Sequence, residues 1–244
     1  MGSVAPAVSP RIWTEYLNPL DVTTLFISLK VGVWATLMVV VTATPMAWIM
    51  ARGGFRGMFI VDGLLMAPLV LPPTVTGYVL LYLLGAQSPL RGVMESLWGD
   101  TLLFTQTASV LAAAVVAFPL MYKTAKGAFE QIDPLELDAA VTFGAKPWQL
   151  FRTIGCSQAL PGLAGGVTMA FGRAMGEFGA TLLVGGNIEG QTTTIPIAIY
   201  GAIETGDMTK AGLWSLVLGA LAVATAVVGQ YVLQRGAVRG RRPL

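Results

Sequence analysis

Arg173 and Glu177 are two charged residues in an otherwise long apolar stretch of the sequence. Charges at membrane depth are costly and usually face a cavity or an oppositely charged partner. Residues four apart share one face of a helix, so these two side chains can pair across one turn. Two interpretations stay open: the pair neutralises itself where helices meet, or Arg173 contacts an anion directly.

Hydroxyl side chains accompany an interruption in another apolar run. Pro72 and Pro73 break this run, and Thr74 and Thr76 follow them. Proline removes an amide donor and kinks a helix, and carbonyl groups freed at membrane depth must be satisfied by protein or by a water-lined cavity. The segment is therefore either a packing kink or a stretch of backbone and hydroxyls exposed to a transport path.

A second group of hydroxyls, Thr192 to Thr194, follows the flexible sequence Gly185-Gly186-Asn187. Such hydroxyls can hydrogen-bond an oxyanion, but an ordinary solvated loop has the same composition. Spacing alone does not choose between these alternatives. The candidates for a pathway or gate are Pro72, Pro73, Thr74, Thr76, Arg173, Glu177, Thr192, Thr193 and Thr194.

The composition excludes several kinds of site. The sequence has no histidine and one cysteine, Cys156, so histidine catalysis, histidine metal sites and an intramolecular disulfide are excluded. We expect no catalytic residue, no metal site and no cofactor on this chain. The net charge of +2 is too small to indicate binding of nucleic acid.

The chain is expected to lie in a lipid bilayer. Hydrophobic residues make up 55% of it and charged residues 11%, against a usual charged fraction of about 25%. A helix needs about 20 apolar residues to cross the hydrocarbon core. The segment 190–203 is too short to span and is expected to be re-entrant or interfacial. The sequence predicts an all-α transmembrane fold with about five spanning helices, near residues 23–50, 59–85, 102–126, 160–185 and 209–234.

Small residues recur at intervals of four in the fourth predicted span. Gly162, Gly166 and Ala170 form one such row, and Gly172, Gly176 and Ala180 form another. This spacing lets helices approach closely in lipid. It predicts an intimate contact, either within the subunit or with a second copy of the chain.

Loop charges predict the orientation of these spans. Ten lysines and arginines fall in the first loop, in the region from Lys123 to Arg152 and in the segment from Arg235 to Arg242, whereas three fall on the opposite side. Because lysine and arginine accumulate in cytoplasmic loops, we expect the N-terminus outside and the C-terminus in the cytoplasm of a multi-pass protein of the cytoplasmic (inner) membrane. The predicted parts are an extracytoplasmic or interfacial lead-in at 1–20, one transmembrane domain at 21–235 and a basic cytoplasmic tail at 236–244.

The 127–155 loop contains a short, well-delimited helix. Asp133 can cap a helix whose first turn holds Pro134, and Glu136, three residues after Asp133, can complete a capping box. Gly144 tolerates the left-handed conformation that ends such a helix. A polar helix of this kind on the cytoplasmic side of a membrane protein indicates a soluble partner.

The segment from Asp138 through Ala139 and Ala140 to Gly144, with Leu160-Pro161 downstream, resembles the EAA loop of ATP-binding-cassette importer permeases. The usual motif has glutamate where this chain has Asp138, which keeps the charge. The resemblance implies a type I importer fold whose segment 133–147 docks on a cytoplasmic ATPase. The coupling residues that it implies are Asp133, Glu136, Asp138, Ala139, Ala140 and Gly144.

Three further segments resemble the molybdate branch of these permeases. They are 67–78, 118–121 and 176–196, the last containing Gly-Glu-Phe-Gly-Ala-Thr. Sulfate permeases share that element, and tungstate permeases share a sequence like 184–188, so both oxyanions stay as alternatives. The implied partners are a second copy of the permease, two cytoplasmic ATP-binding-cassette ATPase subunits and an extracytoplasmic oxyanion-binding protein.

Two other classes of protein compete with this interpretation. A membrane-embedded enzyme would need catalytic motifs, and the sequence has neither a Gly-x-Ser-x-Gly elbow nor a His-Glu-x-x-His pair. A passive channel or scaffold would leave the capped helix without a role. The chain also lacks a phosphate-binding Gly-x-x-x-x-Gly-Lys-Ser/Thr loop, so any ATP hydrolysis belongs to another polypeptide.

Overall fold

The structure is a computed structural model that describes residues 19–85 and 102–239, together with Ser88, Gly92 and Ser96. Side chains are described from Val22 to Tyr231 within these ranges. Most of the predicted lead-in at 1–20 and the last five residues of the predicted tail lie outside the described residues. The described part of the chain is helical and contains no strand, which confirms the predicted all-α class.

The described residues form nine numbered helices. Two short helical turns, Pro147–Gln149 and Cys156–Gln158, flank a π-helical turn at Leu150–Gly155, and these three lie between α5 and α6. The numbered helices are α1 (Pro19–Arg52), α2 (Met58–Val70), α3 (Pro73–Leu84), α4 (Gln106–Glu130), α5 (Pro134–Thr142), α6 (Leu160–Met175), α7 (Gly179–Gly185), α8 (Ile195–Glu204) and α9 (Met208–Arg239).

Helices α1, α4 and α9 are each long and apolar enough to cross a membrane without a break. The first two run parallel. At one end the Lys30 Nζ donates to Gln106 Oε1 at 2.8 Å, and at the other the Trp48 ring lies edge-on to Phe129 with centroids 5.2 Å apart. Because both helices run in the same direction, the chain must recross the membrane between them.

The α2–α3 pair lies on this return path. Its two helices meet at an angle of 110° at Leu71-Pro72, where the sequence predicted an interruption. The single spanning helix predicted at 59–85 is therefore wrong, since the chain forms two helices. Two consecutive prolines lack amide donors, and the residue before a proline avoids the helical conformation, which accounts for the full break.

The predicted single helix at 160–185 is also wrong, because it ends at Met175 and resumes at Gly179. Together α6 and α7 still run antiparallel along α4. A Cβ added to Gly162 would lie 2.5 Å from Ala128 Cβ, and one added to Gly185 would lie 2.1 Å from Ser109 Oγ. Those two contacts are separated by about 28 Å along α4, close to the thickness of the hydrocarbon core. By length and composition the described chain has three unbroken spanning helices, or four with the bent α2–α3 pair, against about five predicted.

Small residues mediate these helix contacts. Gly166 faces Met121 of α4, so the first glycine row makes a contact inside the subunit. Gly229 of α9 lies against Thr168 of α6, which sets α9 antiparallel to α6. The core between α1, α4 and α6 is correspondingly rich in buried alanines, including Ala35, Ala43, Ala47, Ala113, Ala117, Ala125, Ala170 and Ala174.

Helix α8 falls in the apolar segment that the sequence marked as too short to span. It has 10 residues, which confirms that prediction. The backbone N–H of Ile195 donates to Ser28 Oγ of α1 at 2.7 Å. The start of α8 is therefore fixed against the end of α1 that also carries Lys30.

Candidate functional site

The capped helix α5 forms at the predicted place. The backbone N–H of Leu135 donates to Asp133 Oδ1 at 2.9 Å. At the other end Gly144 has φ of +84°, its N–H donates to Val141 O at 2.9 Å, and the Ala145 N–H donates to Ala140 O at 3.0 Å. These two bonds are the Schellman pattern that a glycine in the left-handed region allows.

One detail of the predicted cap is wrong. Glu136 does not complete a capping box, because its carboxylate accepts a hydrogen bond from the Gln158 side-chain amide. Gln158 lies just before α6, so this bond joins the start of α5 to the chain that leads into α6. A tertiary partner therefore replaces the local one that the spacing suggested.

The surface of α5 is exposed and partly apolar. Within α5 only Leu137 is buried, and it packs into the main core. Leu135 and Phe143 project outward, with Phe143 92% exposed, and Trp148 lies beyond them with 65% of its surface exposed. Asp138 and Ala139 are exposed between these side chains. Sequence reasoning missed Phe143 and Trp148, although large apolar residues in a polar loop were the available signal.

Aromatic side chains connect the π-helical turn that follows α5 with α1 and α4. Trp48 of α1 packs against Phe129 and, with centroids 5.7 Å apart, against Phe151 of the π-helical turn. The Arg52 guanidinium lies 4.5 Å from the Trp48 ring centroid and interacts electrostatically with Asp138. Gly155 touches the same indole, so a side chain there would displace it. Leu137 of α5 packs into the core that also contains these rings, which joins α5 to α1 and α4.

The other candidate region is the contact between α3 and α7. A Cβ added to Gly77 would lie 2.8 Å from Ala180 Cα, so the two backbones touch. Pro72, Pro73 and Thr74 at the start of α3 are exposed. In contrast, Thr76 is 5% exposed and its hydroxyl has no hydrogen-bond partner.

Arg173 and Glu177 form the ion pair that their spacing predicted, with Nη1 and Oε2 2.9 Å apart. They do not share a helix, since α6 ends at Met175. Glu177 is 3% exposed, and its Oε1 accepts from the Ala180 N–H at 2.8 Å. The buried carboxylate thus pairs with Arg173 near the end of α6 and accepts a backbone N–H in the first turn of α7.

Thr192, Thr193 and Thr194 are all buried, which contradicts the solvated-loop alternative. The Thr192 hydroxyl accepts from the Ile188 N–H at 3.0 Å, and the Thr193 hydroxyl donates to Asn187 Oδ1 at 2.8 Å. The Thr194 hydroxyl has no partner. Nearby, Gln106 Nε2 donates to the Gln191 carbonyl at 2.7 Å, which ties this segment to α4.

Three buried hydroxyls without partners lie on or next to the segments with predicted pathway residues, and a fourth, that of Thr44, lies on α1. The three belong to Thr76 of α3, Thr181 of α7 and Thr194 before α8. Thr181 was not a sequence candidate, although it lies in the Gly-Glu-Phe-Gly-Ala-Thr segment. A hydroxyl can donate to an oxyanion, which only accepts hydrogen bonds. Within the described ranges, no group of three acidic or cysteine side chains could hold a metal ion.

Comparison with known proteins matches residues 43–242 to the family described as binding-protein-dependent transport system inner membrane component. A Bacillus subtilis (strain 168) protein, YvgM, described provisionally as a molybdenum transport system permease, is 41% identical over 201 residues, covering 82% of this chain and 86% of the relative. The Escherichia coli (strain K12) molybdenum transport system permease protein ModB is 37% identical over 219 residues, covering 89% of this chain and 96% of ModB.

A similar fold occurs in a bacterial ABC transporter that imports the acidic polysaccharide alginate. The TM-score is 0.75 at 13% identity, over 94% of this chain and 85% of that one. This likeness concerns the fold, and the family match rests on sequence. The chain belongs to the family of binding-protein-dependent transport system inner membrane components, the permease subunits of ATP-binding-cassette importers.

Proposed function

We propose that this chain forms the pathway of an ATP-driven importer that carries molybdate across the cytoplasmic membrane. The observation that carries the proposal is α5, a capped helix with exposed apolar side chains, in a permease similar to two molybdenum transport permeases. The chain itself is not an enzyme, since ATP hydrolysis in this family resides on a separate subunit.

In this proposal α5 docks in a groove of the ATPase. Leu135, Phe143 and Trp148 supply the buried anchors, and large apolar side chains of this kind dominate the energetics of protein interfaces. ATP binding closes the ATPase pair and displaces α5. Because Leu137 of α5 packs into the core that contains Trp48 and Phe129, a displacement of α5 moves α1 and α4 with it.

The proposal places α5 in the cytoplasm and the segment 186–194 outside. The distribution of lysine and arginine supports this orientation. The parallel arrangement of α1 and α4 agrees with it, because Arg52 and α5 then lie at the same membrane face. Lys30 and Gln106 lie together at the opposite end, which would be the outer mouth.

Two copies of the chain form the pathway in this proposal, and an extracytoplasmic binding protein delivers the anion to the outer mouth. Helix α3 supports the involvement of a second copy. Val75, Tyr78, Val79 and Tyr82 form an exposed row on it, and two of them carry phenol groups that suit a protein neighbour better than lipid tails.

We assign the anion contacts to hydroxyls and the Arg173–Glu177 pair to structure. Arg173 is already neutralised by a buried carboxylate at 2.9 Å, so it has less charge to offer an anion. The hydroxyls of Thr76, Thr181 and Thr194 have no hydrogen-bond partner in this structure. In the proposal they donate hydrogen bonds to the anion when the helices separate.

The test is anion uptake into proteoliposomes that contain the permease, its ATPase and its binding protein. We expect ATP-dependent molybdate uptake, which tungstate competes strongly and sulfate weakly. A complex whose ATPase lacks the lysine of its phosphate-binding loop is the control and should not transport. Uptake without ATP would indicate a passive channel, and sulfate uptake that molybdate does not inhibit would indicate a sulfate permease.

A further inference from the structure

Asp62 is the single charged residue between Arg56 and Arg91, a stretch that contains all of α2 and α3. A carboxylate in an apolar span is costly unless it has partners. Two side chains of α4 supply them: the Tyr122 hydroxyl donates to Asp62 Oδ1, and the Lys126 ammonium contacts Oδ2. We call these three residues the Asp62 pin.

The pin holds a helix whose only charged side chain is Asp62. No residue of α2 is buried, although several of its side chains pack partly against the core. Tyr122 is itself 1% exposed and stacks on Phe118 with ring centroids 5.9 Å apart. The α4 side of the pin is therefore fixed in the core, whereas the α2 side is attached through Asp62 and through half-buried apolar side chains.

The position of the pin on α4 connects it to α5. Lys126 lies one turn before Glu130, the last residue of α4, and the Glu130 carboxylate is 3.8 Å from the same ammonium. Only Gln131 and Ile132 separate Glu130 from Asp133, which caps α5. Ile132 is buried in the main core, so this connection is short and packed rather than a flexible loop.

The other side of the pin leads to the α3–α7 contact. Helix α2 continues through Leu71-Pro72 into α3, and α3 carries Thr76 and the Gly77 that touches Ala180. The polar contacts of Asp62 thus connect the end of α4 directly to α2 and α3, which we call the arm. No other charged contact between α2 and α4 occurs in the part of the chain that the structure describes.

We propose that the Asp62 pin transmits the displacement of α5 to the α2–α3 arm and so opens the α3–α7 contact. Asp62 and Lys126 are positioning residues in this mechanism and need not touch the anion. The proposal rests on the proposed function, because it takes α5 as the place where the ATPase acts.

The first test measures anion uptake per ATP hydrolysed by the full complex in proteoliposomes. Asp62→Asn keeps the shape of the side chain and removes its charge, and Lys126→Met removes the cation. Each is expected to lower the ratio of uptake to hydrolysis about five- to tenfold while ATP hydrolysis continues. A factor of this size is typical of the coupling between two sites in a protein. The charge-swapped chain Asp62→Lys/Lys126→Asp should restore the ratio. Lys123→Met, an exposed lysine of the same helix, is the matched control and should leave the ratio unchanged.

The second test follows the arm itself. Cys156→Ser removes the single cysteine, and Val70→Cys then places a spin label on an exposed position at the end of α2, within the arm. We expect the label spectrum to change when the complex binds ATP with a wild-type pin and to stay constant with Asp62→Asn. This readout needs no transported anion, so it separates failure of the pin from failure of the proposed function.

Unchanged ratios in both single variants would overturn the proposal, as would a parallel fall of uptake and hydrolysis. If the single variants do not assemble, the charge-swapped chain decides, because it keeps a cation and an anion in contact. Glu130→Gln accompanies the swap, since the Glu130 carboxylate would otherwise repel the carboxylate introduced at Lys126. The charge-swapped chain must assemble and show the ATP-dependent change of the label, and absence of either result overturns the proposal.

Discussion

Helix α5 and the α3–α7 contact differ in how their polar groups are satisfied. In α5, Asp133 and Gly144 complete both helix ends with local hydrogen bonds, and the exposed side chains include large apolar ones. In the α3–α7 contact, glycine and alanine backbones touch, and the hydroxyls of Thr76 and Thr181 are buried without partners. Helix α5 therefore has its end groups paired, but within the described residues nothing covers its outer surface.

This difference assigns different costs to the two regions. A buried hydroxyl without a partner costs about 1–3 kcal/mol, so Thr76 and Thr181 lower the stability of the α3–α7 contact. Helix α5 carries no such cost at its ends, because its caps pair backbone groups there. Changes at the α3–α7 contact should therefore act on folding, whereas changes on α5 should act on docking and coupling.

The largest expected effect is that of Arg173→Ala. It leaves the buried Glu177 carboxylate without its cation, and breaking a buried pair in this way costs about 3–5 kcal/mol. Thermal melting of the detergent-solubilised permease should show a large loss of stability. The double variant Arg173→Ala/Glu177→Gln should recover most of it. A permease that melts normally but does not take up molybdate, in both variants, would instead identify Arg173 as an anion ligand.

Gly77→Ala tests the backbone contact between α3 and α7. The added methyl group would lie 2.8 Å from both Ala180 Cα and Leu183 Cδ1, so the helices must separate, at about 1–3 kcal/mol. Gly63→Ala in α2 is the matched control, since a Cβ there meets nothing within 4 Å. The control should melt at or slightly above the wild-type temperature, and equal losses in the two variants would refute the close contact.

Gly144→Val should affect α5 through its backbone. A β-branched residue at φ of +84° is strained by about 1–2 kcal/mol, so the end of α5 should fray. We expect ATP hydrolysis to continue with reduced molybdate uptake. Gly54→Val, at a loop glycine without positive φ, controls for bulk. Unchanged uptake in Gly144→Val would show that the end of α5 does not take part in coupling.

Phe143→Ser should have the smallest effect on the fold and a clear effect on assembly. The ring is 92% exposed, so the free energy of unfolding should change by no more than about 0.5 kcal/mol. Loss of a central aromatic anchor should weaken binding of the ATPase by about 2 kcal/mol, measured by titration of the solubilised permease. Ile188→Ser, an exposed apolar residue at the other end of the molecule, should leave that affinity unchanged.

The sequence predicted α5 because its signals are local. Asp133, Pro134 and Gly144 act on neighbouring backbone groups, and no distant residue is needed to interpret them. Glu136 marks the limit of this reasoning, since Gln158 is 22 residues away and still captured its carboxylate. The roles of the predicted coupling and pathway residues stay predictions until the variants above are measured.

The break at 176–178 could not be read from hydropathy. Both flanks are apolar, and the glycines there also fit a close helix contact. Helix α6 ends where the Glu177 carboxylate makes two contacts: it pairs with Arg173 and accepts a hydrogen bond from the Ala180 N–H. Likewise, burial of Thr192 to Thr194 depends on α1 and α4, through the contacts of Ser28 and Gln106.

The glycine contacts of α6 and α7 with α4 have a consequence for how the molecule moves. Gly162, Gly166 and Gly185 leave notches into which the side chains of Ala128, Met121 and Ser109 of α4 fit. A side chain held in such a notch would collide with neighbouring residues if the two helices slid along each other. Opening of the permease should then carry α4, α6 and α7 together as one body.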